Sequence, residues 1–252
     1  MAVDYEKEGR IAIFTINRPE VMNALNAQAR RELIEAMVDF RDDPNLWVGI
    51  ITGTGDKAFS AGADIKELCP GPTDIQKEEV ETVRADKIWK PFIAAINGYC
   101  LGGGLELALT CDIRIAAEHA RLGQPEVLNG FFGGGGNTQR LPRFIPWAKA
   151  AEIIFTGQQI DAQEAYRIGL INKVVALDKL MPTAKEWADN ICQAAPLGVR
   201  AAKEAMIKGY SLPLEGGLQL ERSLRNLMPL TEDFVEGTRA FIEKRKPVWK
   251  AR

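Results

Sequence analysis

Phe92-Ile93-Ala94-Ala95-Ile96-Asn97-Gly98-Tyr99-Cys100-Leu101-Gly102-Gly103-Gly104-Leu105-Glu106-Leu107-Ala108-Leu109 is the stretch on which the reading of the fold turns. Five apolar residues after Pro91 predict a strand buried on both faces. A glycine cluster follows, and the next apolar run predicts a short helix near 103–110. The span from Pro91 to Cys111 is the most apolar long stretch of the chain. It is not a membrane span, because Asn97, the glycines and Glu106 interrupt what should be ~20 mostly apolar residues without charge.

The flanks repeat the alternation. Upstream, Val3–Tyr5 and Ile11–Ile16 predict a hairpin around Glu8-Gly9. Asn26 is placed to cap a helix over 27–41, whose apolar face is Leu33, Ile34, Met37 and Val38 and which Asp43-Pro44 stops. Residues 47–52 predict a buried strand, 53–63 a glycine-rich loop, and 75–90 a charged amphipathic helix. Downstream, a strand is expected at 112–117, a loop at 124–136, helices near 146–155 and 161–168, a strand at 171–175 and a long helix near 179–194. Strands alternating with helices place the chain in the α/β class, but the pattern does not select a topology. From Pro196 the character becomes helical (196–209, 214–227, 232–244). The expected organisation is therefore a core over 1–195 and a helical region over 196–252 that docks on the core or on another subunit.

Composition excludes several classes. The 252 residues carry 32 Lys+Arg against 34 Asp+Glu, a net charge of −2, which is unlike a nucleic-acid binder. With 46% hydrophobic residues, disorder is excluded as the main state. Cys69, Cys100, Cys111 and Cys192 form no C-x-x-C pair, and with His119 the sole histidine, no zinc set is expected. The N-terminal residues resemble no targeting segment, so a cytoplasmic protein is expected.

Glu106 is the only Asp, Glu, Lys, Arg or His between Pro91 and Cys111. A carboxylate on a helix apolar all round is costly to bury and has a raised pKa. The alternative is a core glutamate satisfied by backbone or by an arginine. Gly102-Gly103-Gly104 lies between strand and helix, where the first N–H groups lack internal partners and suit an anion or a developing oxyanion. A tight turn would look the same. Ser60-Ala61-Gly62-Ala63-Asp64-Ile65 is a second such stretch, which on its own also reads as an exposed loop. Glu126, in Gly123-Gln124-Pro125-Glu126, follows Glu106 by 20 residues and could share acid and base duties with it; alone it reads as a surface glutamate. Gly53-Thr54-Gly55-Asp56-Lys57-Ala58 imitates a dinucleotide loop but continues as loop where a helix should begin. Ser60 with His119 would be a hydrolase pair, though His119 reads better as a surface-turn residue.

Taken together, Ser60-Ala61-Gly62-Ala63-Asp64-Ile65-Lys66, Asn97 to Ala108, Gly123-Gln124-Pro125-Glu126, Thr138-Gln139-Arg140-Leu141 and the ending Ala240 to Lys246 resemble the enoyl-CoA hydratase/isomerase (crotonase) superfamily, collinearly over nearly the whole chain. The resemblance implies a crotonase-type spiral of ββα units with a C-terminal helical trimerisation region, and an acyl-CoA thioester substrate. It implies that Ala63 and Gly103 supply the oxyanion-hole N–H groups and that Glu106 and Glu126 are the catalytic glutamates. It places Ala61, Asp64 and Ile65 along the coenzyme A moiety and Lys57, Lys66 and Lys244 near its phosphates, and counts Gly102, Phe132 and Gly134 among the residues that bind the coenzyme A or acyl part of the substrate. No metal or redox cofactor is implied, coenzyme A being part of the substrate. The implied assembly is a homotrimer or dimer of trimers, with neither nucleic acid nor membrane as partner. Two carboxylates favour hydration of a 2-enoyl-CoA; the runner-up is an isomerase or a specialised acyl-CoA dehydratase, ahead of a non-catalytic scaffold. One departure is the run Gly133-Gly134-Gly135-Gly136-Asn137-Thr138, where the family has a proline before its glycines. The other is Phe131-Phe132, which would reshape the acyl pocket unless both rings belong to the core.

Overall fold

The computed structural model describes residues 1–68 and 84–252. The hairpin is present as β1 (Val3–Glu8) and β2 (Ile11–Ile16), turning at Gly9 with φ +57°. Asn26 caps α1 (Ala27–Asp42), its side chain accepting from the Ala29 N–H at 2.8 Å. β3 (Val48–Gly53), β5 (Phe92–Ile96), β7 (Ile113–Ala117) and β10 (Lys173–Val175) extend the hairpin into a six-stranded sheet, ordered β1-β2-β3-β5-β7-β10. Every pairing beyond the hairpin is parallel.

Period-two alternation sends the residues of these strands to two different cores. Ile93 and Ala95 join Val48, Ile50, Ile115 and Ala117 against Leu180, Ala184 and Ala188 of the long helix α7 (Leu177–Cys192; α4 to α6 are given below). Phe92, Ala94 and Ile96 face the other way, with Phe14, Phe40, Ile51 and Leu105. There Phe40 packs edge-on against Phe92 at 5.0 Å between centroids, and Gly49 leaves room for the Phe92 ring.

A second sheet, unexpected from the sequence, is what positions the site. It contains β4 (Ala58–Ser60), β6 (Tyr99–Leu101), β8 (Arg121–Gly123) and β9 (Gln159–Asp161), in that order. β4, β6 and β8 are mutually parallel, and each follows a strand of the large sheet after a short turn. Asn97 fastens two of these turns: its Nδ2 donates to Gly55 O at 2.8 Å, and its Oδ1 accepts from Gly53 N at 3.2 Å. Strand, turn, second strand, helix and return is the ββα spiral that the resemblance implies.

The expected helix at 103–110 is α3 (Gly103–Thr110), after β6. The expected loops at 53–63 and 124–136 contain β4 and a 3-10 turn over Pro125–Asn129 respectively. α4 (Asn137–Phe144) was not anticipated because Pro142 lies inside it. α5 (Trp147–Thr156), α6 (Ala162–Arg167) and α7 fall close to expectation. Of the helix expected at 75–90, residues 75–83 lie outside the described residues, and Ala85–Lys87 forms a 3-10 turn.

The tail forms α8 (Pro196–Gly209), α9 (Leu214–Leu227) and α10 (Glu232–Ile242). α8 is fixed to the core by buried Lys203, whose Nζ donates to Asp112 Oδ2 at 2.7 Å, Ala85 O at 2.9 Å and Lys90 O at 3.0 Å. Among the described residues, no helix is long and apolar enough to cross a membrane.

Candidate active site

The C-terminal ends of β4, β6 and β8 converge. The chain leaves β4 through Ala61-Gly62-Ala63 and leaves β6 through Gly102 into α3. Gly62, at φ +95°, has the Gly103 amide nitrogen 2.9 Å from where a Cβ would stand. Only a glycine permits both that φ and that approach. The 61–63 turn is pinned from outside: Ala61 N donates to Met22 O at 2.9 Å, Leu25 N to Gly62 O at 2.7 Å and Asp64 N to Leu25 O at 3.3 Å. Among the described residues, the Ala63 and Gly103 N–H groups have no hydrogen-bond acceptor. Two uncommitted donors therefore border one space, one of them at the positive end of a helix dipole.

That space is a cavity of about 290 Å³. Ala63, Gly103, Glu106, Gly134 and Gly135 form its polar side, and Leu25, Leu33, Ile34, Met37 and Leu107 its apolar side; Arg30, Arg84 and Thr110 complete it. The apolar face of α1 expected from the sequence thus contributes Leu33, Ile34 and Met37 to the cavity wall.

Glu106 stands one turn into α3. Its Oε1 accepts from Gly135 N at 2.7 Å. Glu126, 8% exposed, sits at the start of the 125–129 turn after β8. The two carboxylates meet at Gly133, where a Cβ would lie 2.7 Å from Glu106 Oε1 and 2.8 Å from Glu126 Oε1. Gly102, at φ +53°, passes over Glu126, leaving 3.0 Å between Oε1 and the place of its missing Cβ. Burial raises both pKa values, and the neighbouring Glu106 charge raises that of Glu126 further. The Gly135 N–H and the Arg140 charge oppose the rise at Glu106. Burial and mutual repulsion both disfavour ionising the two carboxyls together, which suits a pair that divides acid and base duties.

The other expected residues are placed as follows. Asp64 is tied to Arg18 Nη1 at 3.1 Å, and Ile65 is 58% exposed. Lys66 is exposed on the short helix α2 (Ile65–Leu68). Lys57 immediately precedes β4, at the far end of the strand from Ala63, in a surface groove with Met22, Tyr99, His119 and Arg121. Phe132 is 66% exposed and Phe131 44% exposed; neither is core, and neither lines the cavity. Lys244 is exposed just beyond α10, at φ +55°. His119 Nε2 lies 2.7 Å from Asp56 O, and Ser60 Oγ accepts from Gly62 N at 3.1 Å, so Ser60 and His119 are engaged separately. Among the described residues, no three His, Cys, Asp or Glu side chains cluster as a metal set would.

Sequence reasoning missed Gly133, Gly135, Arg30 and Arg84. The tetraglycine run was itself the signal for the first two: a loop threading between two carboxylates has no room for side chains.

Comparison with known proteins gives a consistent result. The model of the enoyl-CoA hydratase/isomerase family matches residues 6–252. The chain is 41% identical to (E)-benzylidenesuccinyl-CoA hydratase of Thauera aromatica, covering 99% of each chain. It is 42% identical to short-chain-enoyl-CoA hydratase of Clostridium acetobutylicum, over 96% of this chain and 94% of that one. Among solved structures, enoyl-CoA hydratase from Bacillus anthracis superposes with a TM-score of 0.95 at 39% identity, covering 100% of both chains.

Proposed function

Because the chain belongs to the enoyl-CoA hydratase/isomerase family and is a hydro-lyase of the enoyl-CoA hydratase type, we propose that it adds water to 2-enoyl-CoA thioesters through the two amides and Glu106, which line its cavity, with Glu126 beside Glu106 across Gly133. The thioester oxygen accepts from Ala63 N–H and Gly103 N–H. As the water oxygen bonds to the β-carbon, electron density moves onto that oxygen, where fixed donors stabilise it without reorganisation. The ionised member of the Glu106–Glu126 pair takes a proton from water, and the protonated member gives one to the α-carbon. One water is added, and the pair ends with the same number of protons. Water addition is redox-neutral, so the chemistry calls for no redox cofactor, and the charge it develops is met by main-chain donors. The juxtaposition of both carboxylates across Gly133, beside two free N–H groups, carries this reading.

The coenzyme A moiety is assigned to the rim at Ala61, Asp64, Ile65 and Lys66, with Lys57 and Lys244 for its phosphates; Gly102, Gly134 and Phe132 are assigned to the acyl end. A short acyl group is the first substrate to test, given a relative named for short-chain substrates. The chain is divided into the core 1–195 and the helical region 196–252. Met206, Leu214, Leu230, Phe241 and Ile242 are 74%, 79%, 82%, 86% and 78% exposed on that region, which supports assembly as a homotrimer or dimer of trimers. The free Cys100, Cys111 and Cys192 are in keeping with a cytoplasmic location.

The test is purified protein with crotonyl-CoA, following loss of the conjugated thioester absorbance. Glu106→Gln and Glu126→Gln should each lower kcat by about 10²–10⁴. Unchanged turnover in either variant removes that residue from the mechanism. Light scattering that reports a stable monomer refutes the assembly.

A further inference from the structure

Glu106 is oriented by a chain of contacts that starts well outside the cavity. The Gly135 N–H fixes its Oε1, but Gly135 lies in four consecutive glycines, with no side chain of its own to anchor it. Such a run has the greatest backbone freedom available to a chain. Something else must hold its register.

Arg140, on the first turn of α4, does so. Its Nη1 donates to Gly135 O at 2.8 Å. The same guanidinium occupies the space above Gly136, where any Cβ would collide with it, at a backbone φ of +105°. Its other edge grips Asp86 Oδ2, through Nη2 at 2.6 Å and Nε at 3.2 Å. Asp86 belongs to the 85–87 turn, which Lys203 anchors through Ala85 O, and its Oδ1 takes Arg84 Nε at 3.1 Å. Arg140 and Asp86 are 16% and 18% exposed, so water competes poorly for the pair.

We propose that Arg140 and Asp86 are positioning residues for the hydration: Asp86 locks Arg140, Arg140 holds the glycine loop, and the loop aims the Glu106 carboxylate at the reacting carbons. Neither residue touches the substrate. The proposal rests on the reading of Glu106 as an acid–base group. A displacement of about 1 Å at a reacting group can cost 10²-fold in rate, so a loosened loop shows in kcat.

The charged groups facing Glu106 are Glu126 from the 125–129 turn and Arg140 from α4, with Arg30 of α1 and Arg84 also on the cavity wall. Burial raises the Glu106 pKa; the Gly135 and Asn137 N–H groups, and after them the Arg140 charge, oppose that rise. Removal of the Arg140 charge therefore moves the limb of the pH–rate profile that belongs to Glu106 toward higher pH.

The experiment is a set of variants in the full chain, assayed with crotonyl-CoA: Arg140→Gln, Arg140→Lys, Asp86→Asn, Glu106→Gln and the double variant Arg140→Gln/Glu106→Gln. The expected result is a loss in kcat of about 10- to 100-fold for Arg140→Gln and Asp86→Asn, with KM within about threefold. Arg140→Gln shifts the Glu106 limb upward. Arg140→Lys keeps the charge, and hence the limb, but recovers the rate only in part, because one ammonium cannot bridge Gly135 O and Asp86. The double variant is no slower than Glu106→Gln alone, as groups acting through one another are not additive. Wild-type kcat and limb position in both Arg140→Lys and Asp86→Asn overturn the proposal. So do losses that multiply in the double variant. If Arg140→Gln does not fold, those two milder variants decide. Failure of the underlying reading is separate: it appears as full activity in Glu106→Gln itself.

Discussion

Replacing Gly135 with alanine tests the geometry of the glutamate pair without removing either acid. The added methyl would overlap Glu106 Oε2 and stand 2.8 Å from its Cδ. Carbon atoms in contact settle near 3.5–4.0 Å, so the carboxylate must retreat by about 1 Å. Gly135 does not have a positive φ, so alanine adds no left-handed backbone strain there. The effect should therefore fall on catalysis and little on folding. A misplacement of that size is expected to lower kcat by about 10²-fold, or roughly 2.7 kcal/mol in barrier height. The assay is steady-state hydration of crotonyl-CoA beside a thermal melt, with Tm expected to move by less than about 4 °C. Gly134→Ala is the internal comparison: nothing lies within 4 Å of its Cβ position, so it should act through KM and keep kcat within about threefold. Wild-type kcat in Gly135→Ala, or equal losses in the two variants, would refute the placement of Glu106.

Other outcomes follow from the same structure. Burial raises both carboxyl pKa values, so the folded chain binds protons that the unfolded chain has already released. This unfavourable contribution is absent below the unfolded pKa and grows as pH rises toward the raised folded value. Glu126→Gln should therefore raise Tm at about pH 8 and leave it unchanged at about pH 4; a lowered Tm at pH 8 would contradict this. Gly104→Ala would drive a methyl into the Ser60 backbone beneath α3, at 2.9 Å from its carbonyl carbon. Main chain cannot move aside as a side chain can, so a loss of about 1–3 kcal/mol in denaturant unfolding is expected, along with reduced turnover. Lys203→Met strands Asp112 beside β5 and should cost about 3–5 kcal/mol in the same measurement.

How far the sequence revealed all this differed from one region to the next, for physical reasons. The long strands, α1 and α7 were legible because period and caps such as Asn26 are local signals. β4, β6 and β8 were not, since each is three residues long and reads as loop; their pairing is a tertiary fact. α4 was hidden by Pro142, which the helix accommodates near its end. At the site, Glu106 declared itself as the lone charge in an apolar stretch, but Glu126 did not, because its burial comes from the loop folded over it. Arg140 lay inside a motif noted for resemblance alone. Its partner Asp86 is 54 residues away, a separation that no local pattern reports.

In the proposed mechanism Ala63 and Gly103 hold one thioester oxygen between them. The most direct measurement is a crystal structure with an unreactive 2-enoyl-CoA analogue bound. The carbonyl oxygen is expected at about 2.7–3.1 Å from both amide nitrogens, with the β-carbon facing Glu106 and Glu126. A carbonyl bound elsewhere, or held by only one of the two amides, would contradict it.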